Sequence, residues 1–113
     1  MEVVRTKTYA KALKRLEKLG ATAQDLVRME QSIVADPSRG DVIPGAGGLR
    51  KIRFAYGGVG KSGGGRTIYY VLEGDVLILI TAYAKVDKSD VTASEKRLFR
   101  ALIEELIDGR KEN

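Results

Sequence analysis

Apolar positions recur at helical spacing near both ends of this chain. Apolar side chains repeat every three or four residues across 7–19 and again across 22–35, which predicts two consecutive helices. Very few residues separate the two segments, so an antiparallel helical hairpin is expected. A third helix is predicted behind Thr92 and Glu95, which fit a capping box, because residues 98–107 carry a further apolar stripe.

Between these helices the pattern changes to that of strands. Residues 49–56 alternate apolar and polar side chains, residues 66–73 form a second strand, and residues 76–84 are apolar at nearly every position, as in a central strand covered on both faces. The short β-branched segment 2–5 adds a first strand. The order βααβββα predicts a single α+β domain over residues 1–113, in which a small antiparallel sheet is packed by the helical hairpin and the C-terminal helix.

The composition restricts the chemistry that is available. The chain has 113 residues and contains neither cysteine nor histidine, which excludes disulfides and cysteine-ligated zinc and removes the commonest general base. The carboxylates do not cluster at metal-ligand spacing, so we expect no metal site and no cofactor. The chain shows no signal sequence and no apolar run of about 18 residues, so a cytoplasmic protein without membrane contact is expected.

The net charge of +5 is concentrated in one part of the chain. Residues 39–70 contain six basic groups and one acidic group, whereas residues 1–38 contain seven and five, and residues 71–113 contain seven and nine. The excess therefore lies in the middle segment. Such a local excess favours an anionic partner at one site, and RNA is the leading candidate.

A basic cluster is predicted on the hairpin of this middle segment. Lys51 and Arg53 lie two residues apart on one strand and project from one face, and Arg66 can join them from the next strand. Three converging cations match the oxygens of a phosphodiester. The alternative is an ordinary solvated strand face, which is disfavoured because residues 45–71 contain five cationic side chains and no acidic one. Lys61, in the glycine-rich loop 57–65, is predicted to be a mobile cation that glycines bring close to a backbone.

The same loop contains an apparent nucleotide-binding motif. Residues 55–62 fit a relaxed phosphate-loop pattern, with Ala55 in place of the first glycine. Such a loop requires a helix directly after its Lys-Ser pair, so that the amides of the helix N-terminus reach the phosphates. Here three glycines and a strand follow Ser62. Nucleotide binding is therefore not predicted.

Further candidates lie at the exit of the long apolar strand and beside the hairpin. Tyr83 and Lys85 share a strand face and reach the basic cluster if that face also bears it. A core aromatic is an equally good interpretation of Tyr83. Lys88 lies beyond them and Arg50 precedes the cluster. The predicted RNA contacts are Arg50, Lys61, Tyr83 and Lys88.

Two runs of the sequence resemble a known family. GDVIPGAGGLRKIRFAYGGVGKSGGGRTIYY (40–70) and TAYAKVDKSDVT (81–92) are similar to the HigB branch of the RelE/ParE toxin superfamily, the toxins of bacterial type II toxin–antitoxin modules. The resemblance implies a RelE-like fold and a ribosome-dependent endoribonuclease that cuts translated mRNA. It also implies three partners: the ribosome, mRNA and a HigA-like antitoxin with a helix-turn-helix domain. The basic positions of the family's sheet face correspond to Lys51, Arg53, Arg66 and Lys85.

The sequence departs from the RelE pattern near its end. Val86 stands where RelE-type toxins often have arginine, and Thr92 stands near the place of a catalytic tyrosine. The resemblance therefore leaves the proton donor open among Lys61, Tyr83 and Lys85.

The mechanism that this resemblance implies uses no metal. The 2′-hydroxyl attacks the adjacent phosphorus and leaves a 2′,3′-cyclic phosphate and a 5′-hydroxyl. Arg53 and Arg66 stabilise the transition state, Lys51 is the candidate base, and Lys61 or Lys85 protonates the leaving oxygen. Two alternatives stay open: a ParE-like inhibitor of DNA gyrase and a non-catalytic RNA-binding module.

Overall fold

A five-stranded sheet with helices on both faces forms the body of the protein in the computed structural model, which describes residues 1–111. The predicted domain, 1–113, extends two residues beyond the described part. The strand order across the sheet is β1-β5-β4-β3-β2. The elements are β1 Glu2–Arg5, α1 Lys7–Lys18, α2 Ala23–Ala35, β2 Asp41–Val42, β3 Arg50–Phe54, β4 Gly65–Leu72, β5 Val76–Ala84 and α3 Ala93–Lys111.

The predicted α+β architecture is confirmed, with two differences in the sheet. Strand β1 pairs with β5 in parallel, so the sheet is mixed, and the two-residue strand β2 adds an outer edge beside β3. The remaining neighbours, β3 with β4 and β4 with β5, pair antiparallel. Alternation of side chains carries no information about strand direction, and two residues are too few for a period to show.

The helix N-termini form as their sequences predict. Thr22 and Asp25 satisfy each other's backbone amides at the start of α2, and Thr92 and Glu95 do the same at the start of α3. The hydroxyl of Thr6 accepts the Tyr9 amide and caps α1. Among the described helices, none combines the length and the apolarity that a membrane span requires.

The sheet separates two apolar cores. Helices α1 and α2 cover one face, where Tyr9, Leu16 and Tyr69 are fully buried. Helix α3 covers the other face, where Phe99 and Ile103 pack onto the strands. Of the predicted apolar stripe on α3, only Leu98 is largely exposed, whereas the other members are buried or partly buried.

A β-bulge in β5 decides which side chains reach the α3 face. The register slips between Ile68 and Tyr69 of β4, so β5 contains one extra residue at this point. Leu79 faces the α1–α2 core before the slip, whereas Tyr83 faces the α3 core after it. Without the bulge, strict alternation would place these two odd-numbered residues on the same face. The bulge therefore turns the end of β5 toward the face that bears the basic cluster.

Candidate functional site

A cleft of about 1270 Å³ lies beside the outer strands β2 and β3. Its wall is formed by these strands, residues 25–32 of α2, the glycine-rich loop, the segment after β5 and the first turn of α3. Its basic lining residues are Arg28, Arg39, Lys51, Arg53, Lys61, Arg66, Lys85 and Lys96. Its acidic lining residues are Asp25, Asp41 and Asp90. Cations therefore outnumber carboxylates by eight to three, which makes the cleft a site for anions.

Strands β3 and β4 contribute side chains to the floor of this cleft, and β5 lies directly beside them. Arg53 of β3 lies opposite Arg66 of β4, which in turn lies opposite Tyr83 of β5. Lys51 lies two residues from Arg53 on the same face. The structure thus brings Lys51, Arg53 and Arg66 together on the α3 side of the sheet.

A carboxylate from outside the hairpin accompanies this cluster. Lys51 donates to Asp90 at 2.9 Å, and the Val91 amide donates to the same carboxylate at 2.7 Å. These hydrogen bonds, with that of Lys51 the strongest, hold the pKa of Asp90 below its usual range. The expectation of a basic site without compensating carboxylates is therefore wrong at Lys51, because Asp90 lies far from it in sequence but close to it in space.

Arg66 is buried and tied to the glycine-rich loop. Only 5% of its surface is exposed, and its guanidinium donates to the carbonyl oxygens of Lys61, Ser62 and Gly65 at 2.9–3.1 Å. Lys85 reaches the same loop, because its ammonium donates to the Ser62 carbonyl at 3.2 Å. Both cations therefore fix the loop over the floor of the cleft while they line it.

Two cations of the cleft, Arg53 of the basic cluster and Lys61 of the glycine-rich loop, have no internal partner among the described residues. Arg53 and Lys61 are exposed, and their side chains form no hydrogen bond or ion pair with the described part of the chain. Free donors at a cleft wall are available to a bound anion. A phosphate can engage these two side chains, and the N–H groups of Arg66 that have no described partner, without breaking an existing contact.

The glycine-rich loop follows the predicted path. It is closed by an isolated bridge between Tyr56 and Val59 and leads into β4 without a helix, so the phosphate-loop interpretation is excluded by the fold. The amide of Gly57 donates to the Asp25 carboxylate at 3.0 Å. A Cβ at Gly64 would lie 2.3 Å from the Phe54 carbonyl oxygen. The loop therefore packs closely at both ends, and only its tip carries Lys61 outward.

Tyr83 and Lys88 lie at the junction between the sheet and α3. Tyr83 is 8% exposed, and its hydroxyl is buried without a hydrogen-bond partner among the described residues. Burial raises the pKa of Tyr83 to about 12. Lys88 lies 5.3 Å from the centre of the tyrosine ring and forms an ion pair with Glu95. Neither residue lines the cleft.

Arg50 lies on the opposite face of the sheet from the cluster. Its guanidinium donates to the carbonyl oxygens of Ser38 and Gly40, at 3.2 and 2.7 Å. The Tyr69 hydroxyl holds the same turn, since it accepts the Gly40 amide and donates to the Pro37 carbonyl. Arg50 therefore stabilises the turn between α2 and β2 in this structure.

Sequence reasoning did not single out several cleft residues. Asp90 and Lys96 flank the start of α3, and Arg39 and Asp41 flank the start of β2. The position of Asp90, just after the central strand and just before a helix cap, is a signal that the sequence offered. Two positions depart from the RelE pattern. Val86 is 75% exposed, and Thr92 caps the N-terminus of α3.

The whole chain matches one protein family. The model of the family described as the RelE toxin of the RelE/RelB toxin–antitoxin system matches residues 1–113.

Within the part of the chain that the structure describes, no group of three or more acidic side chains is placed to hold a metal ion.

Proposed function

The chain belongs to the RelE toxin family of toxin–antitoxin systems, and on that premise we propose that it is a ribosome-dependent endoribonuclease of the HigB branch. In this proposal the protein cuts mRNA on translating ribosomes in the cytoplasm and so inhibits translation. RelE-family toxins are generally endoribonucleases, and a toxin of such a system has an antitoxin as its partner. We further propose that this antitoxin is HigA-like and carries a helix-turn-helix domain.

The observation that carries the proposal is the pairing of Arg53 with Arg66 on the cleft floor. One guanidinium is free and exposed, and the other is buried and fixed by three carbonyl groups. Two guanidinium groups on adjacent strands can hold the non-bridging oxygens of one phosphodiester. Fixed donors beside a phosphate stabilise the extra negative charge of a transition state more than they stabilise the ground state.

The proposed reaction is an internal transfer that needs no metal. The substrate 2′-oxygen forms a bond to phosphorus, the bond from phosphorus to the 5′-oxygen breaks, and a 2′,3′-cyclic phosphate and a 5′-hydroxyl result. Lys51, once its ammonium has lost a proton to solvent, takes the proton of the 2′-hydroxyl as the neutral amine, and Lys61 or Lys85, as an ammonium, gives a proton to the leaving 5′-oxygen. Arg53 and Arg66 stabilise the charge on the phosphoryl oxygens.

Asp90 adds a step to this scheme. The ammonium of Lys51 is engaged by the Asp90 carboxylate, which is itself 61% exposed. A substrate phosphate that enters the cleft has to displace this carboxylate before Lys51 can approach the 2′-hydroxyl. Because Asp90 is exposed and Lys51 is partly exposed, solvent weakens the pair and lowers the cost of opening it.

The proposal is tested by cleavage of a defined mRNA with and without translating ribosomes. Wild-type protein is expected to cut only ribosome-bound mRNA and to leave 2′,3′-cyclic phosphate ends. Arg53→Gln is expected to lower the single-turnover rate about 100-fold or more, the usual cost of losing one donor to the transition state. Arg97→Gln, the same change at an exposed arginine of α3 outside the cleft, serves as the matched control and keeps the rate.

Three results would contradict the proposal and separate its alternatives. An unchanged rate in Arg53→Gln would show that the Arg53–Arg66 pair does not stabilise the transition state. Inhibition of plasmid supercoiling by gyrase without RNA cleavage indicates a ParE-like role. RNA binding without cleavage on any ribosome indicates a passive binding module.

A further inference from the structure

A second basic surface lies on α1, away from the cleft. Its four lysines are spaced four, three and four residues apart, so they project within about 60° of one another around the helix axis. All four are exposed, and none forms a hydrogen bond or ion pair with any residue in the described part of the chain. We call this surface the α1 lysine row: Lys7, Lys11, Lys14 and Lys18.

Neighbouring charged residues of the N-terminal half are engaged elsewhere. Arg5 pairs with Glu30, and Arg15 forms a bidentate pair with Asp87 at 2.8 and 3.0 Å. Glu17, the one acidic residue of α1, forms no ion pair within residues 1–111. Thus the modest net charge of residues 1–38 conceals a surface on which four cations are uncompensated.

The row is unfavourable for the helix that carries it. Like charges three and four residues apart repel each other. Lys7 also stands in the first turn, where the helix dipole disfavours a cation and where α1 has no acidic side chain. Repulsion along the row and the position of Lys7 therefore weigh against the stability of α1, whereas Lys18 in the last turn supports it. A ligand that binds the row would offset the repulsion.

The C-terminal end of α1 lies near two segments that line the cleft. Arg15, which is held by Asp87, ties this end of α1 to the segment that carries Lys85 and Asp90. The glycine-rich loop also touches the end of the helix, because a Cβ on Gly57 would lie 2.9 Å from the Gly20 carbonyl oxygen. The row extends from there for about 16 Å along the helix.

We propose that the α1 lysine row binds the phosphate backbone of double-helical RNA, outside the cleft. A nucleic-acid duplex carries one negative charge per about 1.7 Å of its axis, so a row of this length faces many phosphates at once. Lysines on flexible stems follow a backbone without reading bases. Structured RNA of this kind is a component of the ribosome, so the inference rests on the proposed function for its setting.

Other polyanions fit the surface less well. A helix that lies on a membrane inserts apolar side chains, whereas the apolar side of α1 is buried in the core through Tyr9 and Leu16. A protein interface has an apolar or aromatic centre, and α1 contains no large hydrophobic residue that is exposed. The row offers positive charge without an apolar surface, and such a surface matches a phosphate backbone.

The test compares two triple variants that lose the same charge. Lys11→Gln, Lys14→Gln and Lys18→Gln together remove three members of the row. Arg97→Gln, Arg100→Gln and Arg110→Gln together remove three exposed cations of α3. Each protein is titrated with a 20-base-pair RNA duplex over a series of salt concentrations, and its sedimentation with small ribosomal subunits is measured. Thermal melting confirms that both variants are folded.

The row variant is expected to bind the duplex about 10-fold more weakly. It is also expected to reduce the slope of log affinity against log salt by about 2–3, since each of the three lysine–phosphate contacts adds roughly 0.7–0.9 to that slope. The α3 variant is expected to lose less than twofold. Arginine at the same three row positions is expected to restore binding, because the charge is kept.

Each other outcome counts against the inference. Equal losses in both triple variants show that net charge, and not the row, binds RNA. Unchanged affinity in the row variant overturns the proposal, as does tighter binding to vesicles rich in phosphatidylserine than to RNA. The proposed catalytic function fails separately: wild-type protein that binds duplex RNA through the row and never cuts mRNA retains this inference and loses that function.

Discussion

The cleft and the α1 lysine row are both basic, but within the described part of the chain internal partners hold some of the cations in the cleft and none of the lysines in the row. In the cleft, Lys51 is paired with Asp90, and Arg66 is bound to three carbonyl oxygens of the loop. In the row, no lysine has a partner among the described residues. A partner within the protein fixes where a cation lies, whereas a free cation keeps its reach and its rotamer entropy.

This difference corresponds to two tasks. A transition state is stabilised by donors that are already in place, so a cleft that does chemistry gains from internal partners even though they occupy part of its charge. A surface that only attracts a backbone gains from mobile charges, whose contribution falls steeply with salt. In the proposed functions, positive charges held in the cleft thus stabilise a transition state, whereas mobile positive charges in the α1 lysine row attract a phosphate backbone.

The largest expected effect tests whether the geometry of the cleft is fixed by close packing. Gly64→Ala places a Cβ 2.3 Å from the Phe54 carbonyl oxygen and 2.9 Å from that of Gly60, both backbone atoms that cannot move aside easily. We expect a loss of about 1–3 kcal/mol in the free energy of unfolding. We also expect mRNA cleavage to fall sharply while affinity for duplex RNA through the row is kept. Urea unfolding and the duplex titration measure the two quantities.

Gly60→Ala is the matched control for this change. It lies in the same loop, and a Cβ there meets no atom within 4 Å. Its free energy of unfolding is expected to stay within about 0.5 kcal/mol of wild type. Equal stability of the two variants would show that the loop adapts, and the contrast between a fixed cleft and a mobile row would then be lost.

The sequence predicted those features of the cleft and its helices that depend on residues close together in the chain. Strand alternation put Lys51 and Arg53 on one face, and the capping boxes at Thr22 and Thr92 marked two helix starts, because each signal involves residues a few positions apart. The structure confirms the shared strand face and both helix starts.

What the sequence did not predict depends on distant contacts. The bulge that turns Tyr83 to the α3 face exists only relative to β4, and no period within β5 reveals it. Asp90 lies 39 residues from the lysine it pairs with. Counting charges along windows likewise missed the row, since Glu30 and Asp25 offset its lysines in the sum but pair elsewhere in space. The roles of the individual cleft residues in catalysis stay predictions.

A smaller effect concerns the one buried hydroxyl in this part of the molecule that has no described partner. Tyr83→Phe removes a polar group that lost its hydration without gaining a hydrogen bond. We expect stability to be unchanged or to rise by about 1 kcal/mol. Tyr69→Phe is the control, because its hydroxyl both donates and accepts, and its loss is expected to cost about 1–3 kcal/mol. Chemical unfolding of both variants provides the comparison.

A clear loss of stability in Tyr83→Phe would show that the hydroxyl has a partner in solution. Slower cleavage together with unchanged or higher stability would instead indicate that Tyr83 acts on the cleft through Arg66, which lies opposite it on β4.

The smallest expected effect tests whether the row opposes the stability of its helix. Lys7→Glu places an anion in the first turn of α1, where the helix dipole favours it, and removes repulsion with Lys11. We expect the melting temperature to rise by about 1–5 °C while affinity for duplex RNA falls. Lys18→Glu makes the same change of charge in the last turn, so it is expected to weaken RNA binding to a similar degree but to lower the melting temperature. If both variants lower the melting temperature, the lysines support the fold and their lack of partners has no functional meaning. If their melting temperatures move in opposite directions while RNA affinity falls in both, the charge of the row is maintained for a ligand at the expense of the helix.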